Sequence, residues 1–64
     1  MIKINGEQKD LQGVTLEDYL ERSGYDRKRV AVERNGEIVS KAKYSETILK
    51  DGDVVEIVSF VGGG

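Results

Sequence analysis

Apolar and polar residues alternate at the very start of the chain, where Ile2 and Ile4 are interleaved with Lys3 and Asn5. That period of two predicts a half-buried strand. Asn5-Gly6 follows, and this dipeptide favours a two-residue type I′ turn because both central residues need positive φ. Glu7 to Leu11 then reads as the returning strand, polar enough for a sheet edge. The period next changes to that of a helix: Leu16, Tyr19 and Leu20 recur at i, i+3, i+4. Thr15 is placed to cap this helix, with Asp18 completing a pattern like a capping box and Val14 facing Tyr19 as a hydrophobic staple. Gly24 sits where a left-handed residue ends a helix, and Tyr25 is placed to cover Leu20, so the helix is predicted over residues 16–23.

Val30 to Arg34 reads as a third strand, Asn35-Gly36 as a second type I′ turn, and Glu37-Ile38-Val39 as a short fourth strand. Residues 40–50 are predicted to be irregular or to hold a short helical turn, anchored by Tyr44, Ile48 and Leu49. Asp51-Gly52-Asp53 is a tight turn into the most β-prone stretch, Val54 to roughly Phe60. On that last strand Val55 and Ile57 share one face, while Val54, Val58 and Phe60 share the other with Glu56. The order is ββαββ, a short turn and a final β. With one helix to cover it, the sheet is predicted to be mixed and of four or five strands, packed on that helix as an α+β fold. Its other face is left to water or a partner.

Composition narrows the chemistry. The 64 residues include no Cys and no His, which excludes thiol nucleophiles, disulfides, imidazole catalysis and zinc sites built on those ligands. Ten basic and twelve acidic residues give a net charge of −2, against a general nucleic-acid binder. There is no signal-peptide core and no apolar run near the ~20 residues that span a bilayer. A single cytoplasmic domain over residues 1–64 is expected, without membrane attachment and with 61–64 as a flexible C-terminal tail. Asp51, Asp53 and Glu56 lack the spacing of a calcium loop and read as a turn with solvated charges, so no metal site is assigned. Arg27, Lys28, Arg29 and Arg34 form the main basic concentration, read as a solvated loop rather than a contact for RNA or an acidic partner. Tyr19, Tyr25 and Tyr44 read as core or rim residues.

The chain ends Phe60-Val61-Gly62-Gly63-Gly64. Three glycines contribute no core side chain and are costly to order. At a terminus they form a thin arm that carries a carboxylate. From Ser59 to Gly64 such an arm, fully extended, reaches ~20 Å. Val58, Phe60 and Val61, just before the glycines, are the expected partner contacts that fix its register.

Taken together, Ile4 to Glu7, Val30 to Val39, the Asp51 to Ile57 stretch and Val58 to Gly64 resemble the ubiquitin-like β-grasp sulfur carriers, and among them the ThiS family of thiazole (thiamin) biosynthesis. The resemblance covers essentially the whole chain. It implies that a ThiF-type adenylyltransferase adenylates the Gly64 carboxylate with ATP, and that sulfur from cysteine, through a cysteine desulfurase, converts it to a thiocarboxylate. A ThiG-type thiazole synthase then takes the sulfur. Gly62 and Gly63 would supply clearance for the tail, and the chain itself would be a co-substrate with no catalytic residues. The small subunit of molybdopterin synthase shares this fold and tail, but such chains tend to be longer and to carry prolines before the tail, whereas this one has none. A carrier for another pathway is a further alternative. A binding module of the TGS type shares the Asp-Gly-Asp-Val strand entry, but is normally embedded in a larger chain. A stand-alone enzyme is disfavoured by the missing His and Cys and by a core too small for a pocket.

Overall fold

A computed structural model describes residues 1–60. The first hairpin is β1 (Ile2–Ile4) and β2 (Glu7–Lys9), paired antiparallel with Ile4 opposite Glu7. Asn5 and Gly6 form its turn with φ of 49° and 86°, the two positive values a type I′ turn requires. The second hairpin repeats the device. There β3 (Val30–Arg34) and β4 (Glu37–Val39) flank Asn35 and Gly36, at 53° and 85°. The last strand, β5 (Val54–Ser59), inserts between the hairpins, parallel to β1 and antiparallel to β3. The five-stranded order is β2-β1-β5-β3-β4, and the polar β2 lies at an edge as its composition predicts.

The helix α1 (Leu16–Arg22) lies on one face of this sheet, and every backbone donor of its first turn is accounted for. Leu16 N–H donates to the Thr47 carbonyl at 2.7 Å and Glu17 N–H to the Tyr44 carbonyl at 3.1 Å. Asp18 N–H donates to Thr15 Oγ1 at 3.1 Å. The irregular segment after β4 therefore has a structural task, which is to supply carbonyls to the helix start. The capping box is half-formed: the Asp18 carboxylate pairs with Arg22 at 3.0 Å, its side chain being one methylene shorter than the Glu that normally reaches back. At the other end Tyr25 N–H bonds the Leu20 carbonyl and Gly24 N–H the Glu21 carbonyl, with Gly24 at φ 80°. This is the Schellman closure the sequence predicts.

Leu16, Tyr19 and Leu20 pack against Ile2, Ile4, Val30, Val32, Val55 and Ile57, with Tyr44 and Leu49 completing the core. Three readings change. Ile48 is 48% exposed and is no core anchor; its backbone bridges to Thr15, and the inward place belongs to Leu49. Residues 27–29 are exposed, as the expected solvated loop requires, but wind into a 3₁₀ turn capped by the Asp26 carboxylate. Arg27 there reaches across to Glu17 and to the Lys41 carbonyl and lies 5.7 Å from the centre of the Tyr44 ring. The third change concerns Asp53, which is buried rather than solvated. It accepts from Arg34 Nε at 2.9 Å, Asn35 Nδ2 at 3.0 Å and Lys50 N–H at 2.9 Å. Arg34 is therefore committed to this carboxylate and is no part of a basic patch.

Both turn asparagines also hold β5. Asn5 accepts from Ile57 N–H at 2.7 Å and donates Nδ2 to the Ile57 carbonyl at 3.2 Å. Its amide thus continues β1's pairing past the end of that strand. Asn35 accepts from Val54 N–H at 2.9 Å while its Nδ2 holds Asp53. Only a side chain with one donor group and one acceptor fits both tasks. Asn5→Gly keeps the positive φ but removes two bonds, and is expected to cost about 2 kcal/mol in denaturant unfolding.

Burial pushes the Asp53 carboxyl up, but the bonds from Lys50 N–H, Asn35 and Arg34 outweigh it and hold it below the usual carboxylate range. A carboxylate lowered on folding contributes stability above its unfolded pKa of about 4 and loses it as pH falls through the folded value. Asp53→Asn is expected to be about 2 kcal/mol less stable than wild type at pH 7. That gap should narrow steadily as thermal melts are repeated below about pH 4.

Candidate functional site

The alternation along β5 divides its side chains between two environments. Val55 and Ile57 enter the core, while Val54, Val58 and Phe60 are 44%, 56% and 50% exposed on the opposite face. No element of the described chain covers that second face, because α1 is on the other. The sequence assigned Val58 and Phe60 to a partner, and both stand on this open surface. Val61, Gly62, Gly63 and Gly64 lie outside the described residues.

Strand pairing continues one residue past β5, since Phe60 N–H donates to the Arg29 carbonyl at 2.7 Å. The arm expected from Ser59 therefore begins after Phe60 at the earliest, because Ser59 is part of β5. Arg29 stands beside this origin with Asp26 at 3.6 Å.

Two features of the face were not read from the sequence. Ile38 on β4 is 70% exposed and stands opposite Glu33. Its signal was available, because Ile38 and Val39 are adjacent in a strand and must point to opposite sides. Glu33 in turn stands opposite Glu56, a juxtaposition that depends on the pairing of β3 with β5 and has no local signal. The open face is therefore an apolar surface with two carboxylates at its centre. A shallow groove of ≈ 610 Å³ lies between β4 and residues 40–50, bordered by Ile38, Ile48 and Lys43. Among the described residues, no helix is long and apolar enough to cross a membrane, and no group of His, Cys, Asp and Glu is placed to hold a metal ion.

Known proteins share this arrangement. The model of the ThiS family matches residues 2–64. The chain is 46% identical to the sulfur carrier protein ThiS of Bacillus subtilis and 42% identical to that of Thermus thermophilus, covering all of both chains in each case. It is also 48% identical to a thiazole synthase of Paramagnetospirillum magneticum over 95% of its own length, but it spans only 19% of that protein. The crystal structure of the thiamine biosynthesis protein ThiS from Geobacter metallireducens superposes with a TM-score of 0.80 at 30% identity, covering 98% of this chain and 97% of the other. A β-grasp sheet on one helix, a family match across almost the whole sequence and full-length relatives lead to one assignment: the chain belongs to the ThiS family.

Proposed function

We propose that this protein is a sulfur carrier for thiazole formation in thiamin biosynthesis, a co-substrate rather than a catalyst. The observation that carries the reading is the end of β5. A strand locked into the sheet up to Phe60 leads directly into a sequence whose last three residues are glycine. Full-length likeness to proteins named sulfur carrier supports it.

The chemistry follows from a carboxylate at Gly64. An α-carboxyl group has a pKa of roughly 3.5 and is an anion at neutral pH. One carboxylate oxygen attacks the α-phosphorus of ATP on a ThiF-type adenylyltransferase, and pyrophosphate leaves. The acyl adenylate is electrophilic at the Gly64 carbonyl carbon. The terminal sulfur of a persulfide formed from cysteine by a desulfurase attacks there and AMP leaves; a thiol then breaks the resulting S–S bond, becoming part of a disulfide, and a terminal thiocarboxylate remains. Gly62 and Gly63 give the arm no side chain to obstruct its entry, while Val58, Phe60 and Val61 seat the body beside the active site. ATP is consumed by the partner, and no permanently bound cofactor takes part. Two proteins named thiazole synthase contain a stretch similar to this chain, which supports a ThiG-type synthase as the sulfur acceptor.

Incubation with an adenylyltransferase of this type, ATP, a desulfurase and cysteine is expected to raise the intact mass by one oxygen-to-sulfur exchange. An unchanged mass, with an enzyme proven on its own carrier, would overturn the reading. Deleting Gly63 and Gly64 should abolish the exchange and leave the thermal midpoint within a few degrees of wild type, because surface changes away from the core fall within about 0.5 kcal/mol. Phe60→Ala should weaken binding to the adenylyltransferase about tenfold or more, as removal of an apolar anchor does, with a much smaller effect on unfolding. Isothermal titration alongside a thermal melt separates the two effects.

A further inference from the structure

Arg27, Lys28 and Arg29 make up most of the basic concentration in the sequence, and the chemistry at Gly64 leaves their side chains without a task. Their 3₁₀ turn is joined to a second one, Lys41–Lys43, by two long side chains that reach in opposite directions. Arg27 Nη2 donates to the Lys41 carbonyl at 2.9 Å, and Lys41 Nζ donates back to the carbonyl of Val30, which closes the first turn, at 2.8 Å. The second bond follows the sheet's register. Val32 stands opposite Val39, so Lys41 is the residue that would stand opposite Val30 if β4 ran on. The strand ends at Val39, and the Lys41 side chain supplies a donor that a longer strand would supply from its backbone. Arg27 is held in turn by the Glu17 carboxylate on α1 and lies 5.7 Å from the centre of the Tyr44 ring. Between Arg27 and Val30 sits Arg29, whose carbonyl accepts Phe60 N–H at 2.7 Å. Asp26 fixes the same turn from within, taking Lys28 N–H on its carboxylate and Arg29 N–H on its carbonyl, both at 2.9 Å.

We propose that Arg27 and Lys41 form a latch that keeps the Arg29 carbonyl in place for Phe60, and that both are positioning residues for the carrier's engagement by its activating enzyme. The proposal rests on the sulfur-carrier reading. Both side chains act through the backbone, fixing the chain on either side of Arg29. The end of β5 depends on that acceptor. On its other side, β1 pairs only as far as Ile4, opposite Val55, and the Asn5 amide extends the contact to Ile57. Beyond Ile57, among the described residues, only the β3 side holds the strand. Strand ends open at far lower free energy than cores, so support worth one hydrogen bond changes how much of the time Phe60 is in place. A partner that needs Phe60 in place binds more weakly by that fraction. The residue types suit the two tasks. A planar guanidinium serves the Glu17 carboxylate, a carbonyl and a ring face together, whereas a flexible stem with a compact ammonium reaches the single Val30 carbonyl. Exposed ion pairs add little to global stability, so losing the latch loosens the strand end and spares the body.

The test joins amide hydrogen exchange, read by NMR, to adenylation of the full chain by a ThiF-type adenylyltransferase, followed as pyrophosphate release with carrier concentration varied. The variants are R27M and K41M, which keep an apolar stem and remove the donors. In each, exchange at the Phe60 amide is expected to quicken about threefold, while the Ile57 amide, held by Asn5, keeps its rate. The thermal midpoint should fall by no more than a few degrees. KM is expected to rise about twofold with kcat unchanged, and K41R, which retains a donor, should restore both the exchange rate and KM. Unchanged Phe60 exchange in both variants overturns the latch. Equal quickening at Phe60 and Ile57 would mean a general loss of structure and overturns it too. Faster exchange at Phe60 with an unchanged KM, beside an active wild type, overturns the positioning role alone. A wild type that releases no pyrophosphate overturns the carrier reading and the positioning role with it.

Discussion

Everything in this fold depends on β5 sitting between two hairpins that it alone joins into one sheet. The β1–β2 and β3–β4 pairs close over two-residue turns, and β5 is the strand that gives them a common sheet. It must then pair with β1 in the parallel sense and with β3 in the antiparallel sense, using residues some fifty and twenty-five positions distant. Register errors are punished at its entry and in its middle. At its entry the Asp53 carboxylate gathers Arg34, Asn35 and Lys50. In its middle the Asn5 amide meets both backbone groups of Ile57. A slip by one residue would break these bonds and also turn Val55 and Ile57 out of the core.

The same strand serves the proposed chemistry because its side chains alternate. One face secures the body, the other leaves Val58 and Phe60 exposed where the proposed partner would dock, and the strand is held in the sheet as far as Phe60. In the proposed role that anchoring matters more than reach, since an arm works only if its origin is held against the surface it must enter.

Much of the body was legible because its signals are local. The Asn-Gly turns, the Thr15 cap, the Gly24-Tyr25 closure and the apolar stripe of α1 each depend on residues a few positions apart. What escaped depends on pairing between distant segments. Asp53 looks like an ordinary turn residue until Arg34 and Asn35 are brought to it by β3. Ile48 and Leu49 are equally apolar, and only the bridge from residue 48 to Thr15 decides which one turns inward. The site divides in the same way. Val58 and Phe60 were readable from the period of two along one strand, whereas the Glu33–Glu56 juxtaposition requires knowing which strands are neighbours. The basic cluster was misread in part for a related reason: Arg27 and Arg34 are consumed by separate contacts at different parts of the molecule.

The two turn asparagines have a further consequence, in chemical lifetime rather than stability. An asparagine followed by glycine is vulnerable to attack by the next backbone nitrogen on its own side-chain carbonyl, because glycine leaves that nitrogen unshielded. The attack requires the amide to swing toward the following residue. In both turns the amide is instead held against β5 or Asp53 by two hydrogen bonds, so that rotation demands local opening of the sheet. For the proposed carrier role this sets a working life, since repeated charging would be limited by how long the covalent structure lasts.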